Sequence, residues 1–197
     1  ILAELEKKTY KKGTIERKLS DFYKMALDAD RRNKEGIAPV KPLLAELAAA
    51  QTKADLQKLQ IKYAALGLGV DYGSYFAADE KNVTMNIFNV LQGGLTLGAK
   101  DYYLNNDAAT AAIREAYKKY IAQMFQLYGF SAADAQKKAE KVFLHETNLA
   151  LISKSRTELR DPQANYNKMT LKEFKENYPN IPLEALANAE GIKSEYI

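Results

Sequence analysis

Apolar residues recur at spacings of three and four along most of the chain, which is the pattern of helices with one buried face. The clearest example runs from Ala108 to Tyr128 and is followed by Gly129, a helix stop signal. A second long helix is expected to start after Ser131 and to continue through Ile152. These two patterns predict a mainly helical fold.

The same spacing appears in shorter form near the start of the chain. Residues 1–12 predict the tail of a helix, which Gly13 breaks. A longer helix is expected to begin at Thr14 and to fade near Asn33, with Gly36 as its stop.

Capping residues mark the start of two further helices. Thr52 is followed by Asp55, and Thr170 by Glu173, at the spacing of a capping box. In this motif the side chain of each residue accepts a hydrogen bond from the backbone N–H of the other. Both positions are therefore predicted helix starts.

Proline indicates other boundaries. Pro42 suits the first turn of a helix, and Pro182 is expected to start the last helix of the chain. Pro162 is expected to end any helix locally, so that residues 160–171 are predicted to form a loop that ends in a helix cap.

Residues 70–106 differ because they are rich in Gly and Asn and have irregular apolar spacing. The run from Val83 to Leu91 alternates imperfectly, so a strand or hairpin near residues 82–92 is as consistent with it as a helix. The predicted fold class is mainly α: a multi-helix lobe with a short strand or hairpin in this region.

Composition narrows the choice of function. With 197 residues and 47% hydrophobic residues, the chain can bury a sizeable core. The absence of cysteine excludes disulfide scaffolds, cysteine zinc sites and thiol catalysis. The 29 Lys and Arg are interleaved with 25 Asp and Glu, which favours a mixed solvated surface over nucleic-acid binding.

The start of the chain and its apolar runs indicate whether it contains a membrane span or a signal peptide. No run approaches the ~18 apolar residues of a membrane span, and residues 1–12 are too charged for a signal peptide. Since the chain starts in mid-pattern without Met, we interpret it as a processed or cloned piece of a longer protein.

His145 and Glu146 are the most tempting candidates for chemistry. A zinc peptidase helix needs His-Glu-x-x-His, because residues four apart lie on one helix face and can hold one metal ion. The residue four positions after His145 is Leu149, and His145 is the only histidine in the sequence. We therefore predict a surface or partly buried histidine and no metal-binding residue.

Acidic residues elsewhere are predicted to serve structure. Glu146 is expected to pair with Arg156 or Arg160 where the long helix meets the next loop. Asp79 and Glu80 are expected to lie in a solvated turn. Asp28 and Asp30 are expected to lie on a solvated turn or helix face.

Glycine and tyrosine carry weaker signals. There are two glycine pairs, Gly93 with Gly94 and Gly67 with Gly69. Neither pair is followed by the Gly-Lys-Ser/Thr of phosphate loops, and both are expected to be turns with positive φ. Tyrosines, notably those at residues 72, 75, 102 and 103, suit a binding surface or the boundary of a helical core, and we prefer the core boundary.

Several segments, in order, resemble the N-terminal region of the neprilysin-like zinc metallopeptidases, and most closely their bacterial oligopeptidase members. The resemblance spans roughly residues 14–185. The segments are RDPQANYNKMTL at 160–171, KLSDFY at 18–23, DEKN at 79–82, QGGL at 92–95, DYYL at 101–104 and ETNLA at 146–150.

The resemblance implies a role inside a larger enzyme. Residues 1–197 would be part of an N-terminal helical domain that confines substrates, and the catalytic domain would be a separate region of the same polypeptide. Zinc would be bound in the intact parent enzyme and not by this chain, which therefore has no expected catalytic, cofactor-binding or metal residue.

The expected partners are the catalytic lobe and peptide substrates of limited size, without nucleic acid or a membrane span. The family implies a periplasmic, secreted or other cell-envelope location, with a cytoplasmic one for some bacterial members. A stand-alone helical binding module without catalysis is the alternative function.

Overall fold

A computed structural model of the chain describes residues 2–69, 72–189, 191 and 197. The chain divides into two compact units, Ile1–Ala48 and Ala49–Ile197. Each unit is described by itself below. In the described residues, no helix is both long enough and apolar enough to cross a membrane.

The first unit is helical. Its helices are α1 (Leu2–Lys7), α2 (Ile15–Leu27), α3 (Ala29–Glu35) and α4 (Lys41–Ala49), and a 3₁₀ turn at Ala38–Val40 precedes α4. The first two helices are joined where the buried hydroxyl of Ser20 donates to the Leu5 carbonyl oxygen at 2.7 Å.

The single helix expected from Thr14 to Asn33 is in fact two helices. Thr14 caps α2 as predicted, but the helix ends at Leu27. Asp28 leaves the helical conformation, and its carboxylate accepts from the Arg31 N–H at 2.8 Å, which starts α3. The apolar spacing could not reveal this break, because an Asp can cap a new helix as readily as it sits on the surface of one.

The second unit contains a hairpin and seven helices among its described residues. They are α5 (Lys53–Ala65), β1 (Tyr72–Asp79), β2 (Asn82–Gln92), α6 (Asp101–Leu104), α7 (Ala108–Tyr128), α8 (Ala132–Ile152), α9 (Pro162–Asn165), α10 (Leu171–Asn177) and α11 (Leu183–Ala189), with a 3₁₀ turn at Glu158–Arg160. The mainly helical fold class is confirmed.

Of the alternatives left open for residues 82–92, the structure shows the strand or hairpin and not the helix, and the first strand of the hairpin lies before this range. β1 and β2 pair antiparallel with Phe76 opposite Phe88, and the register shifts between Ala78 and Asp79. The first strand was missed because its sequence, YGSYFAAD, does not alternate between apolar and polar residues.

Helix caps follow the sequence closely. Both predicted capping boxes are present, Thr52 with Asp55 and Thr170 with Glu173. α7 has the predicted bounds and ends at Gly129, whose φ of 116° is in the left-handed region that favours glycine.

The prediction for Pro162 was wrong. Pro162 is the first residue of α9, where its missing N–H costs nothing. Asp161 starts this short helix, because its carboxylate accepts from the N–H groups of Gln163 and Ala164, both at 3.0 Å. Only the residues between α9 and Thr170 form the predicted loop.

The two glycine pairs behave less uniformly than expected. Gly67 and Gly94 have positive φ, as predicted, but Gly69 and Gly93 do not. Gly93 is constrained in a different way: a Cβ at this position would lie 3.1 Å from the backbone of Tyr72, which is a tight contact.

Two apolar clusters stabilise the second unit. The hairpin core consists of Phe88 with three residues of α10 and α11, namely Phe174, Leu183 and Leu186. The helical core lies between α7 and α8 and consists of Tyr117, Ile121, Ala122 and Ala139. The small side chain of Ala139, which is fully buried in this core, lets the two long helices approach closely.

Candidate functional site

The first polar centre holds the tip of the hairpin. The Asp79 carboxylate at the end of β1 is buried, and it accepts from Lys168 Nζ at 2.7 Å, from the Tyr166 hydroxyl at 2.8 Å and from the Lys81 N–H at 2.9 Å. This ion pair joins two segments that are 89 residues apart in sequence.

The charges around Asp79 shift its titration. The Lys168 ammonium, followed by the Lys81 N–H, lowers the pKa of the Asp79 carboxyl to about 2. Burial, together with the hydrogen bond to Asp79, raises the pKa of Tyr166. The Lys81 ammonium also lies 4.1 Å from the centre of the Tyr166 ring, a cation–π contact.

The base of the hairpin is held by the same part of the chain. The Gln92 side-chain amide donates to the Lys154 carbonyl oxygen at 3.0 Å and accepts from the Lys154 N–H at 2.8 Å. Lys154 Nζ in turn donates to the Asn165 side chain at 2.6 Å. Residues 154–168 therefore fasten both ends of the hairpin.

The second polar centre is a buried carboxylate surrounded by hydroxyl groups. Glu146 on α8 is 6% exposed. It accepts from the Tyr103 hydroxyl at 2.5 Å, from the Tyr117 hydroxyl at 2.9 Å and from the Thr96 hydroxyl at 2.8 Å. The Leu97 N–H donates to the Tyr103 hydroxyl oxygen at 3.1 Å, so this oxygen is also satisfied.

Burial shifts the tyrosines of this centre. It raises the pKa of Tyr117 to about 12, and the hydrogen bond to Glu146 acts in the same direction. The pKa of Tyr103 is raised further by the same two causes. Both phenols therefore stay protonated as donors to Glu146 across the neutral range.

The ion pair predicted for Glu146 was wrong. Three hydroxyl groups take the place of Arg156 and Arg160, and in the described part of the chain neither arginine forms an ion pair with it. The partners lie 29 to 50 residues earlier in the sequence, so a pairing rule based on neighbours along the chain could not find them.

The prediction for Asp79 was also wrong. Asp79 is buried in an ion pair and is not in a solvated turn, although Glu80 beside it is exposed. At the other acidic pair, Asp28 and Asp30 lie on the surface, as predicted, and Asp28 caps α3.

The tyrosines divide between the two expected environments. Tyr103 is buried, and Tyr72 and Tyr102 are half-buried, which agrees with the core boundary that the sequence favoured. Tyr75 on β1 is 50% exposed and departs from that expectation.

His145 and Glu146 are not arranged as a zinc site. His145 lies on the exposed side of α8, while Glu146 beside it points into the hydroxyl cluster and uses both carboxylate oxygens there. Leu149 stands where the second histidine of a zinc helix would be. Across the residues that the structure describes, no group of three or more His, Cys, Asp or Glu could hold a metal ion.

The two polar centres connect the segments on which the resemblance rests. Asp79 of DEKN binds Tyr166 and Lys168 of the YNKM segment, and Tyr103 of DYYL binds Glu146 of ETNLA. These residues bind one another through hydrogen bonds, so this arrangement ties distant segments of the chain together.

Comparison with known proteins agrees with the resemblance. The model of the N-terminal region of Peptidase family M13 matches residues 1–197. Bovine endothelin-converting enzyme 1 is 27% identical over 184 residues, which cover 90% of this chain and 24% of the relative. Neprilysin-3 of Drosophila melanogaster is 28% identical over 178 residues, or 85% of this chain and 23% of that protein.

A solved structure gives the same picture. The zinc metalloprotease Zmp1 of Mycobacterium tuberculosis, in complex with an inhibitor, matches all of this chain with a TM-score of 0.84 and 25% identity, and the match covers 30% of that structure. The chain thus spans about a quarter of the length of the two relatives and under a third of the solved chain.

The fold and the matches define the class as the N-terminal region of a neprilysin-like metallopeptidase. The chain belongs to peptidase family M13.

Proposed function

We propose that residues 1–197 form part of the helical lobe of a zinc metalloendopeptidase, and that this lobe limits access to an active site built by another region of the same polypeptide. The observation that carries the proposal is the match of the N-terminal M13 model to the whole chain, together with coverage of only 30% of Zmp1.

The residues support a scaffold role for this part. The chain has one histidine and no His-Glu-x-x-His sequence, and Glu146 uses its oxygens to bind three hydroxyls. A general base must be able to reach a proton of the substrate or a water, and this buried carboxylate already accepts from protein donors. We therefore propose that the chain alone is inactive and binds no zinc.

Confinement of substrate requires rigid walls. The hairpin is fastened at its tip by Asp79 and at its base by Gln92, and the two long helices are joined by the hydrogen bond from Tyr117 to Glu146. A lobe held in this way can exclude large substrates by its shape, because a close-packed interior deforms little when a substrate contacts its surface. The proposed substrates are peptides of limited size, and the proposed location is the periplasm, the cell envelope or outside the cell.

The test compares the purified 197-residue chain with the product of the complete coding sequence. Both are given fluorogenic peptides of increasing length and one unfolded protein, with and without a zinc chelator. We expect only the complete product to hydrolyse peptides, to prefer short ones, and to lose activity with the chelator.

Two results would contradict the proposal. Hydrolysis by the purified chain would show that it carries catalytic residues, and equal cleavage of short peptides and the unfolded protein would remove the confining role. If the complete product cleaved nothing, the alternative function of a helical binding module would take its place.

A further inference from the structure

Helix α7 carries a second apolar face beside the one that packs on α8. Four large apolar side chains are exposed along it: Ile113 at 40%, Tyr120 at 54%, Met124 at 41% and Leu127 at 69%. Tyr117 and Ile121, on the neighbouring face, are buried in the helical core. The four exposed residues are called the α7 seam below.

The spacing of the α7 seam is that of a helix-packing surface. Its members are separated by seven, four and three residues, so they lie within an arc of roughly 60° along about 21 Å of helix. The other seam position of the heptad is occupied by Ala109, one turn before Ile113, and by Ala116, between Ile113 and Tyr120. Small residues at that position let a second helix approach closely.

The seam also lacks charge, which is unusual for a helix face in water. The charged residues of α7 are directed elsewhere. Arg114 donates to the carbonyl oxygens of Tyr102 at 3.1 Å and Asn105 at 2.6 Å, and Lys118 pairs with Glu115 at 2.7 Å.

The outer face of α8 provides a comparison within the same helix pair. Leu144 and Leu151 are exposed there at 60% and 62%, but the same face also carries the exposed Lys137 and Lys141. Scattered apolar residues among charges are normal for a surface. The α7 seam is therefore a different kind of face, and burial would stabilise it.

We propose that the α7 seam is the docking surface for an α-helix that belongs to the part of the M13 polypeptide outside residues 1–197. The proposal rests on the proposed function, which places this chain in a longer peptidase. The match that covers only 30% of Zmp1 leaves most of such a polypeptide to supply the helix. The heptad spacing and uncharged surface select a helix with an apolar stripe as the occupant.

The experiment uses the product of the complete coding sequence with a benzophenone-bearing phenylalanine in place of Met124. The matched control carries the same group in place of Lys141 on the outer face of α8. After irradiation, crosslinked peptides are identified by mass spectrometry. We expect the group at position 124 to link to one helical segment of the same polypeptide outside residues 1–197, and the group at position 141 to give no such link.

Three outcomes would overturn the inference: links from position 124 to a second copy, links only to residues within 1–197, or no more links than the control gives. Peptide hydrolysis by the same preparation separates the two proposals. If the preparation hydrolyses peptides but the expected link is absent, the docking role of the α7 seam is contradicted and the proposed function is not. If the complete coding sequence has no M13 catalytic region, the proposed function itself is contradicted.

A second pair of variants tests the same point without crosslinking. Met124→Glu places a charge in the seam, and Lys141→Glu changes charge on the solvated face of α8. In the complete product, we expect Met124→Glu to lower the thermal midpoint and Lys141→Glu to leave it nearly unchanged. Equal midpoints for the two variants would contradict a buried seam.

Discussion

The ammonium of Lys168 lies 2.7 Å from the buried carboxylate of Asp79 and ties the segment before α10 to the end of β1. The Tyr166 hydroxyl reaches the same carboxylate at 2.8 Å. The segment that most resembles the neprilysin-like family is thus the one that fastens the hairpin, and its tyrosine and lysine act as structural donors.

Loss of this ion pair should destabilise the chain. Lys168→Met removes the ammonium and leaves the Asp79 carboxylate buried without its countercharge, which is costly because a buried charge needs a partner. We expect the thermal midpoint to fall by roughly 5–10 °C. The control is Lys172→Met on α10, where the side chain is 85% exposed. Equal midpoints for the two variants would contradict this role of Lys168.

The Asp79 ion pair should also make stability depend on pH. The pKa of Asp79 is lowered from 3.8 to about 2, so the unfolded chain binds this proton first on acidification. Its contribution to the free energy of unfolding is therefore complete above the unfolded pKa and is lost as the pH falls towards 2. Asp79→Asn should flatten the acid limb of a urea-unfolding series, and an unchanged slope in the variant would argue against the depressed pKa.

Removal of the Glu146 carboxylate should leave buried hydroxyls without an acceptor. Glu146→Ala is expected to lower the free energy of unfolding by about 1–3 kcal/mol, and Glu146→Gln by less, because its amide keeps one carbonyl oxygen. Asn148→Ala, at an exposed position of the same helix, serves as the control in urea unfolding. If Glu146→Ala were as stable as the control, the hydroxyl cluster would have no stabilising role.

Of the 13 tyrosines, Tyr103 and Tyr117 should resist ionisation at high pH most strongly, and the pKa of Tyr166 is raised as well. Burial raises the pKa of Tyr117 to about 12 and that of Tyr103 further, from an ordinary value of 10.0. Stability should fall as the pH rises above 10.0, since the unfolded phenols ionise first. In an ultraviolet titration, the Tyr103→Phe variant and the Tyr117→Phe variant should each show one late-ionising tyrosine fewer than the unsubstituted protein. A native protein whose tyrosines all titrate together near their ordinary pKa would contradict this environment.

Gly93 should be less replaceable than Gly69. In Gly93→Ala the new Cβ would lie 3.1 Å from the Tyr72 backbone, so β1 must shift, at a cost of about 1–3 kcal/mol. Gly69 has neither a positive φ nor any atom within 4 Å of an added Cβ. Gly69→Ala is therefore expected to be neutral or slightly stabilising. Urea unfolding compares the two, and the reverse order would disprove the close contact.

The elements that the sequence predicted well are those set by local rules. The bounds of α7 and both capping boxes depend on residues within a few positions of one another, and the structure confirms them. Pro162 was misjudged because proline ends one helix and starts another by the same property, its missing N–H.

The features that sequence reasoning missed depend on contacts between distant residues. Tyr103 meets Glu146 across 43 residues, and Lys168 meets Asp79 across 89. A charged side chain alone does not reveal whether its partner is an arginine, a lysine or a tyrosine hydroxyl. The one sequence signal for these residues was that they lie in the segments that resemble the neprilysin-like family. That signal indicated the family and did not indicate which residues are in contact.

The central claim is that this chain is part of the helical lobe of a zinc peptidase whose catalytic residues lie elsewhere in the same polypeptide. The most direct measurement is the natural coding sequence, read past Ile197 to its stop codon. The account predicts a His-Glu-x-x-His sequence and a further downstream Glu in the same reading frame. A frame that ended near Ile197 would contradict it.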